Sequence, residues 1–366
     1  MNTVDRATSL IHPAEHGAPA RTATAGRARL YERLRSYESV CIGYSGGVDS
    51  AFLVVTAVEA LGAGRVLAVT GVSPSVSQAQ LDAARRIARA HGVPHFEVGT
   101  EELEDPSYAA NPTDRCYFCK SELWSRLSVV AAERGFAVLA DGTNADDTGD
   151  HRPGTRAGRE HDVRSPLLEA GLTKPEIRAL SLELGLESWD APAAPCLASR
   201  VQHGLGVTRE RLRQVEEAEA GIARLGFREF RVRHHGDIAR LEFASGERER
   251  AFERSADVVA AARAAGFARA GIDALGYRRG ALHEGALVQI SAALPASRIE
   301  GARGVLREHG VSFDDVCAAG FEGDVLWVRA PVAAAAAVER LEPRLCAAGF
   351  RWIAFEAQSD PLRRTA

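Results

Sequence analysis

Four groups of residues in this chain could do chemistry. The first is Ser45-Gly46-Gly47-Val48-Asp49-Ser50, which follows the apolar run Cys41-Ile42-Gly43-Tyr44 and leads at once into an Ala/Leu/Val-rich segment. Two glycines let backbone N–H groups approach an anion closely, and Ser50 stands where a helix offers unpaired N–H groups and the positive end of its dipole, so the turn reads as a phosphate cradle. It lacks the Gly-Lys-Ser/Thr ending of a Walker A loop and is not the Gly-x-Gly-x-x-Gly of a dinucleotide fold. The second group, Asp141-Gly142-Thr143-Asn144-Ala145-Asp146-Asp147-Thr148-Gly149-Asp150-His151-Arg152-Pro153-Gly154, concentrates carboxylates and an arginine. Alone it would be a solvated acidic loop. Beside a phosphate cradle it suits Mg²⁺–pyrophosphate, for which a subset of Asp141, Asp146, Asp147 and Asp150 suffices, because Mg²⁺ takes one or two protein carboxylates alongside phosphate oxygens and water.

The third group is made of thiols. Cys116-Tyr117-Phe118-Cys119-Lys120 follows Asn111-Pro112 and opens a helix, which would hold two thiolates over one turn near N–H groups that lower a thiol pKa. A C-x-x-C fits half a zinc site, a redox pair or part of an iron–sulfur site, and no second C-x-x-C or H-x-x-H completes a zinc tetrad. Cys196 lies in the proline-stiffened loop Asp190-Ala191-Pro192-Ala193-Ala194-Pro195-Cys196-Leu197-Ala198-Ser199-Arg200, a poor place for a packing cysteine. Three thiolates would leave one iron of a 4Fe-4S cluster without a protein ligand, and chemistry could happen there. The fourth group is Arg200, Arg231, Arg233 and Arg278, forked cations suited to phosphate and carboxylates; Arg231 and Arg233 share a strand face by alternation. In so arginine-rich a chain, an ordinary surface ion pair competes with that reading for each. Lys120 and Lys174 are the only lysines, and both fall inside motifs. Trp124 and Trp189 read as core residues.

These groups need elements to position them. Strand, helix, strand alternate from the cradle onward, with strands at 65–71, 95–99 and 137–140 and helices at 77–91 and 119–134, so a parallel sheet is expected. The cradle and the Asp141 turn should then face one crevice at the carboxyl ends of the strands. From Thr208 the order becomes helix (208–225), strand (227–234), strand (238–243), helix (249–265), strand (267–275). It recurs as 297–309, 312–318, 323–329, 332–347 and 350–356, with Ala-Ala-Gly-Phe at 264–267 and again at 347–350. The recurrence invites reading the end of the chain as a divergent copy of the module before it, although an Ala-rich composition also produces such matches by accident. The copy lacks counterparts of Arg231 and Arg233, so no second active site is expected. The expected organisation is a disordered tail (1–26), an α/β parallel-sheet domain (27–200), a smaller α+β substrate or oligomerisation domain (201–286) and an α+β extension (287–366).

Bulk properties bound the function. The chain has 366 residues, 46% of them apolar, enough for two or three cored domains. A net charge of −4 without a Lys/Arg block disfavours a general nucleic-acid binder and favours small-molecule substrates. With no apolar run long enough for a bilayer and no signal-peptide core, a soluble cytoplasmic protein is expected. Six cysteines do not suggest a disulfide framework there, and Cys41 reads as a core residue.

The hexapeptide Ser45–Ser50 resembles the PP-loop of the ATP pyrophosphatase superfamily, whose members cleave ATP to AMP and pyrophosphate to activate a substrate oxygen as an adenylate. This implies an adenine nucleotide alpha-hydrolase-like fold. With Asn111-Pro112 to Lys120, Asp141 to Gly154, Arg164-Ser165-Pro166-Leu167, Gly171-Leu172-Thr173-Lys174, Pro195 to Arg200, Arg231 to Asp237 and Gly276-Tyr277-Arg278, the chain over about 27–285 resembles the LarE family of ATP-dependent sulfur transferases. The resemblance implies conversion of each carboxylate of pyridinium-3,5-biscarboxylic acid mononucleotide to a thiocarboxylate, through an adenylate, in making the nickel-pincer nucleotide cofactor. One branch of the family sacrifices a cysteine, here Cys196, leaving dehydroalanine; in another, three cysteines hold a 4Fe-4S cluster with a sulfide on its open iron, and Cys116 and Cys119 place this chain there. By the same resemblance ATP and pyrophosphate fall to Ser45, Gly46, Gly47, Asp49, Ser50, Asn144, Arg152 and Lys174, Mg²⁺ to Asp141, Asp147 and Asp150, and the substrate to Ser199, Arg200, Arg231, Arg233, Asp237 and Arg278. A homo-oligomer is expected, with an unidentified sulfide source.

The chain departs from the family pattern. Arg-Ile-Pro-Tyr-Gly is common after the cysteine loop and Gly-Ser-Met/Leu-Asn after Gly-Tyr-Arg, where this chain has Arg200-Val201-Gln202-His203-Gly204 and Gly280-Ala281-Leu282-His283. These departures are expected to fall on the substrate pocket and not on the ATP site. A tRNA-thiolating PP-loop enzyme, an amide-forming synthetase and a non-catalytic nucleotide-binding module are the competing readings; the acidic balance disfavours the first, the absence of a glutaminase triad the second and the intact phosphate and carboxylate loops the third.

Overall fold

A computed structural model describes residues 17–149, 153–277, 295–320 and 323–358. Two compact units emerge. One consists of residues up to Val72, Gln78–Thr100 and Cys119–Ala194; the other of Ser73–Ser77, Glu101–Phe118 and the chain from Pro195.

In the first unit, helix α1 (Gly17–Arg35) leads to β1 (Val40–Gly43), and α2 (Val48–Leu61) returns the chain to β2 (Val66–Val72). Helix α3 (Gln78–Ala90) and β3 (His95–Gly99) follow; the chain then passes through α4 (Pro106–Ala109) and the first residues of the long α5 (Arg115–Arg134), which belong to the second unit, before β4 (Val138–Ala140). Short apolar strands of this kind suit a sheet buried on both faces. The four are parallel, in the order β3-β2-β1-β4, as the alternation of strands and helices requires. Helix α2 buries Phe52, Leu53, Val54 and Val55 on several faces at once, because α1 and α8 (Lys174–Glu183) pack on it as well as the sheet. Each fully buried Leu or Phe contributes about 1.5–3 kcal/mol. Helix α3 turns only the stripe Leu81, Ala84, Ile87 and Ala88 inward. The chain steps outward from β1 to β3 and then lays β4 on the far side of β1. That reversal is a topological switch point.

In the second unit α9 (Arg209–Arg224), capped by the Thr208 hydroxyl, precedes β5 (Phe230–His234), β6 (Ile238–Phe243), α10 (Ser245–Glu253), α11 (Ser255–Ala264) and β7 (Arg269–Asp273). The pattern repeats as helix Pro295–Glu308, β8 (Asp315–Ala319), β9 (Val325–Pro331), helices Ala335–Arg340 and Glu342–Ala347, and β10 (Trp352–Gln358). All six strands form one sheet, β5-β6-β7-β10-β9-β8. Within each module the first two strands are antiparallel and the last two parallel, and the modules meet antiparallel at β7 and β10. Ile272 pairs with Phe355 there. The shift that carries Phe267 onto Phe350 in the recurring Ala-Ala-Gly-Phe also carries Ile272 onto Phe355, so this pair lies on a pseudo-two-fold axis and the recurrence has a structural meaning. Register fixes the counterparts. Arg233 pairs with Arg240 and Arg231 with Glu242, whereas in the copy Cys317 pairs with Trp327 and Asp315 with Arg329. The arginines are replaced by Cys317 and Asp315.

Paired residues share a sheet face. Arg231, Arg233, Arg240, Glu242 and Asp273 therefore occupy one face, while Leu326, Val328, Ile353 and Phe355 pack on the other with Leu306, Val338 and Leu345 from the helices.

Several boundaries differ from expectation. Strands β5 to β7, expected in one domain, and β8 to β10, expected in the extension, form one sheet rather than two, because β7 would otherwise leave an open edge. Pro195–Arg200, expected to close the first domain, belong to the second unit, where hydrogen bonds hold them. Helix α1 begins at Gly17, inside the expected tail, where Ala-rich sequence supports it. The expected helix at 249–265 breaks at Arg254, whose guanidinium binds Asp257 and Leu225 O. No described helix is long and apolar enough to cross a membrane.

Candidate functional site

The phosphate cradle is built where β1 meets α2. Gly46 adopts φ 73°, and a Cβ there would come within 2.9 Å of Ala84 N, so the turn requires glycine. Ser45 N–H donates to Ser50 Oγ at 3.2 Å, and Ser50 Oγ donates to Gly47 O at 3.1 Å, which closes the loop over the first turn of α2. Gly47, the N-cap, supplies no side chain. The first N–H groups of α2 and its dipole thus face the loop. From β4, Gly142 comes so close that a Cβ would meet Ser50 N at 3.0 Å. The two loops therefore share the switch point, as the sequence implied.

The carboxylates of the second loop fold it. Asp141 accepts from Thr143 N (3.1 Å), Thr143 Oγ1 (2.9 Å) and Ser165 Oγ (2.8 Å), Ser165 standing just before the short helix α7 (Pro166–Glu169). Asp147 accepts from Asn144 N at 3.1 Å, and buried Asn144 accepts from Asp146 N at 3.0 Å. Asp146 receives the N–H of Lys174 at 2.7 Å. Lys174 opens α8 behind the Thr173/Glu176 capping box, and its ammonium reaches Asp49 in the first turn of α2. Helix α6 (Pro153–Glu160) follows the loop. Asp150 and Arg152 lie outside the described residues.

Cys196 stands before a single helical turn, Leu197–Arg200. Buried Arg200 holds this loop: Nη1 donates to Pro195 O (2.5 Å), Cys196 O (3.2 Å) and Ser199 Oγ (3.0 Å), while Nε and Nη2 reach the two carboxylate oxygens of Glu219 on α9. Ser199 Oγ donates to Cys196 O at 2.7 Å, Arg233 Nη1 donates to Ser199 O at 2.9 Å, and Leu197 N–H donates to Ser75 O at 2.8 Å. Arg231 lies over the Tyr277 ring, 5.2 Å from its centroid. Burial, then the neighbouring Arg200, push its guanidinium below the usual arginine range. The result is a thiol-bearing loop beside crowded buried cations, a surrounding that suits carboxylate or phosphate. Arg200 positions the loop. Asp237 pairs with Arg269 and accepts from Gly320 N, so it ties the two modules together. Arg278 lies outside the described residues.

Asn111 connects the other thiols to this loop. Buried and at φ 57°, it donates from Nδ2 to Val201 O (3.3 Å), Gln202 O (2.7 Å) and Leu205 O (2.9 Å), and its Oδ1 accepts from Arg115 at the start of α5. Helix α5 begins earlier than the expected Cys119, so Cys116 sits in its first turn, exposed, and Cys119 one turn on, half-buried. Among the described residues no three His, Cys, Asp or Glu side chains gather as metal ligands. The geometry supplies a pair of thiols on one helix and a third on a separate loop, which is not by itself a cluster cradle. Lys120 lies over the buried Trp124 ring, 5.3 Å from its centroid. Trp189, expected in the core, is exposed at 39%, with its carbonyl held by Arg178. Cys41 is buried, which pushes its thiol up to about 12, as befits a packing residue.

Sequence reasoning missed Glu219, Glu242, Arg240 and Asp273, the carboxylates and cation that hold the arginines. The signal for Arg240 and Glu242 was present in Ile238-Ala239-Arg240-Leu241-Glu242-Phe243, where charges alternate with apolar residues in a strand.

A family model described as NAD synthase matches residues 28–116, the part that carries the phosphate cradle. An uncharacterized protein of Synechocystis is 44% identical over 215 residues, 58% of this chain and 80% of its own length. The pyridinium-3,5-bisthiocarboxylic acid mononucleotide synthase of Lactiplantibacillus plantarum is 36% identical over 216 residues, 59% of this chain and 78% of the relative. An uncharacterized protein of Methanocaldococcus jannaschii is 27% identical over 213 residues, 58% and 80% of the two lengths. With the cradle, its lysine and the cysteine loop in place, the chain belongs to the LarE family of ATP-dependent sulfur transferases.

Proposed function

We propose that this protein adenylates a carboxylate of pyridinium-3,5-biscarboxylic acid mononucleotide and replaces the adenylate by sulfur, once at each carboxylate, in nickel-pincer cofactor synthesis. The observation that carries the reading is the Cys196 loop, gripped by Arg200 and Arg233 beside Arg231. A thiol beside buried cations fits a substrate that brings a phosphate and carboxylates.

In the first half-reaction a carboxylate oxygen attacks the α-phosphorus of ATP and pyrophosphate leaves. The N–H groups of Gly46 to Ser50, the α2 dipole and Lys174 would meet the charge that moves onto the leaving group, and they cost no reorganisation at that moment; Arg152 is the further cation that the sequence offers. Mg²⁺ bound to phosphate oxygens would be held through water and a carboxylate of the Asp141 loop, for which Asp141, Asp147 and Asp150 are the candidates. In the second half-reaction sulfur attacks the acyl carbon and AMP leaves. If the Cys196 thiolate is the nucleophile, a thioester forms; loss of the Cys196 Cα proton then breaks its Cβ–S bond and releases the thiocarboxylate, leaving dehydroalanine. Atoms and electrons balance without an oxidant. The finer proposal is that Cys116, Cys119 and Cys196 hold a 4Fe-4S cluster, which would supply sulfide at the iron lacking a protein ligand. It rests on the sequence resemblance and on the C-x-x-C in the first turns of α5, and not on a gathered set of three ligands.

The test incubates the protein with ATP, Mg²⁺ and the mononucleotide and follows products by mass spectrometry. Thiocarboxylate formed with AMP and pyrophosphate supports the reading. AMP formation without sulfur incorporation, sulfide being supplied, overturns it in favour of an amide-forming or tRNA-directed enzyme.

A further inference from the structure

The chain that leaves the cysteine loop is held from a second side, by the C-terminal copy. A series of hydrogen bonds crosses the polar face of the six-stranded sheet. Arg240 Nε donates to His235 Nε2 at 3.1 Å, which leaves the His235 proton on Nδ1, facing Gln202 Oε1 at 2.8 Å. Gln202 Nε2 then donates to the Asp324 carboxylate at 3.0 Å. All donors point one way, so both the tautomer of His235 and the orientation of the Gln202 amide are determined. Arg240, His235, Gln202 and Asp324 are all buried. At its origin Arg240 is neutralised by Glu242 and Asp273; at its end Arg351 lies 3.6 Å from Asp324. Trp352 packs on the Arg240 guanidinium and on the His235 ring.

Asp324, Arg351 and Trp352 belong to the copy, while Gln202 stands two residues beyond Arg200 and its N–H donates to His234 O at 3.1 Å. We propose that the C-terminal copy is a positioning element for sulfur transfer, in which Asp324 fixes Gln202 and, through it, the loop that carries Cys196. The inference rests on Cys196 being the residue at which sulfur is passed on. Had the copy only to cover the edge of β7, apolar contacts would serve at least as well, because a buried polar series gains little stability over them. What it gains is a single permitted arrangement, since any other register leaves buried donors and acceptors unpaired. The copy carries Asp315 and Cys317 where the first module carries Arg231 and Arg233, so its part is support and not a second reaction.

The test uses the full chain and two readouts. Cys196 alkylation by iodoacetamide, followed by peptide mass spectrometry, is compared in wild type, Gln202→Leu, Asp324→Ala, the double variant and Asp324→Asn. Each of the first two is expected to change the Cys196 rate by about threefold or more, with the double variant changed no further than the larger single. Asp324→Asn, which keeps an acceptor for Gln202, is expected to restore the rate. In turnover the same variants should lose about 10- to 100-fold in kcat for thiocarboxylate with KM for ATP unchanged. Rates within about twofold of wild type, or single effects that multiply in the double variant, overturn the proposal. If Asp324→Ala does not fold, Gln202→Leu and Asp324→Asn still decide it. A wild type that makes no thiocarboxylate contradicts the proposed function, while the alkylation readout continues to judge the positioning role.

Discussion

The Lys174 ammonium, at the first residue of α8, meets the Asp49 carboxylate in the first turn of α2, so the lone lysine of that helix is aimed at the phosphate cradle. The pair is about a third exposed on the lysine side, so it adds little to stability. The proposed role of the lysine is to hold a point charge where phosphate oxygens arrive. Lys174→Ala is expected to lower the rate of AMP formation by about 10²–10³-fold with the melting temperature nearly unchanged. Lys174→Arg should not restore it, because a planar fork does not replace a compact ammonium. Pyrophosphate release read by a coupled assay checks both; an active Lys174→Ala enzyme removes Lys174 from the mechanism.

Gly142 against Ser50 makes a second prediction. Gly142→Ala would put a methyl 3.0 Å from Ser50 N, backbone that cannot give way without opening the cradle. Overpacking of this kind costs about 1–3 kcal/mol. Calorimetry should find a less stable protein with weakened ATP binding, and undiminished nucleotide affinity would show that the two loops do not form one site.

Glu219 is the carboxylate on which the cysteine loop depends, since it takes two donors of buried Arg200 and the N–H of Val232. Glu219→Ala leaves a buried guanidinium without its counter-charge and is expected to destabilise by about 3–5 kcal/mol. Urea denaturation measures it. A change below about 1 kcal/mol would mean that Arg200 is held by the loop carbonyls alone.

Two buried histidines set a pH dependence. His234 is pushed down to about 4 by burial and then by Arg211, and His235 is pushed well below its ordinary value by burial and then by Arg240. Unfolded histidine titrates near 6.5, so between about pH 6.5 and 4 the unfolded chain binds more protons and stability falls with pH. His234 alone accounts for about 3 kcal/mol across that window. Above about pH 6.5 it adds no slope. Denaturant midpoints at pH 7.5, 6 and 5 should fall steadily, less so in His234→Gln; a flat profile would contradict the buried neutral state.

The nucleotide half was legible in the sequence because its signals are local. Ser45 to Ser50 and the loop that opens at Asp141 each follow directly on a strand, and strand alternation was enough to bring those loops to one switch point. The cysteine side was legible only as a set of residue types. Which partner each arginine takes depends on α9 and β6, distant in sequence, so the bonds by which Arg200 holds the Cys196 loop could not be read from its motif. Gln202 is the clearest case. Standing where the family pattern leads one to expect proline, it read as a change in the substrate pocket. The structure places its amide between His235 and Asp324, a contact that exists only once the copy has folded onto β7. The recurrence of Ala-Ala-Gly-Phe pointed to that copy, but the pairing of Ile272 with Phe355 could not be read from it.

Iron content bears on the three cysteines. Anaerobically purified protein with about four irons per chain, lost in each of Cys116→Ala, Cys119→Ala and Cys196→Ala, would establish the cluster ligands. Competent protein without iron leaves Cys196 as the sulfur donor and Cys116 and Cys119 outside the reaction.

Single turnover of the wild type and Cys196→Ala with ATP and the mononucleotide tests sulfur transfer to an adenylated carboxylate at Cys196. One mass spectrum can read the product together with the Cys196 peptide. Thiocarboxylate is expected from the wild type alone, with AMP from both proteins, and either an intact Cys196 or one lighter by the elements of hydrogen sulfide. Thiocarboxylate formed equally well by Cys196→Ala would contradict it.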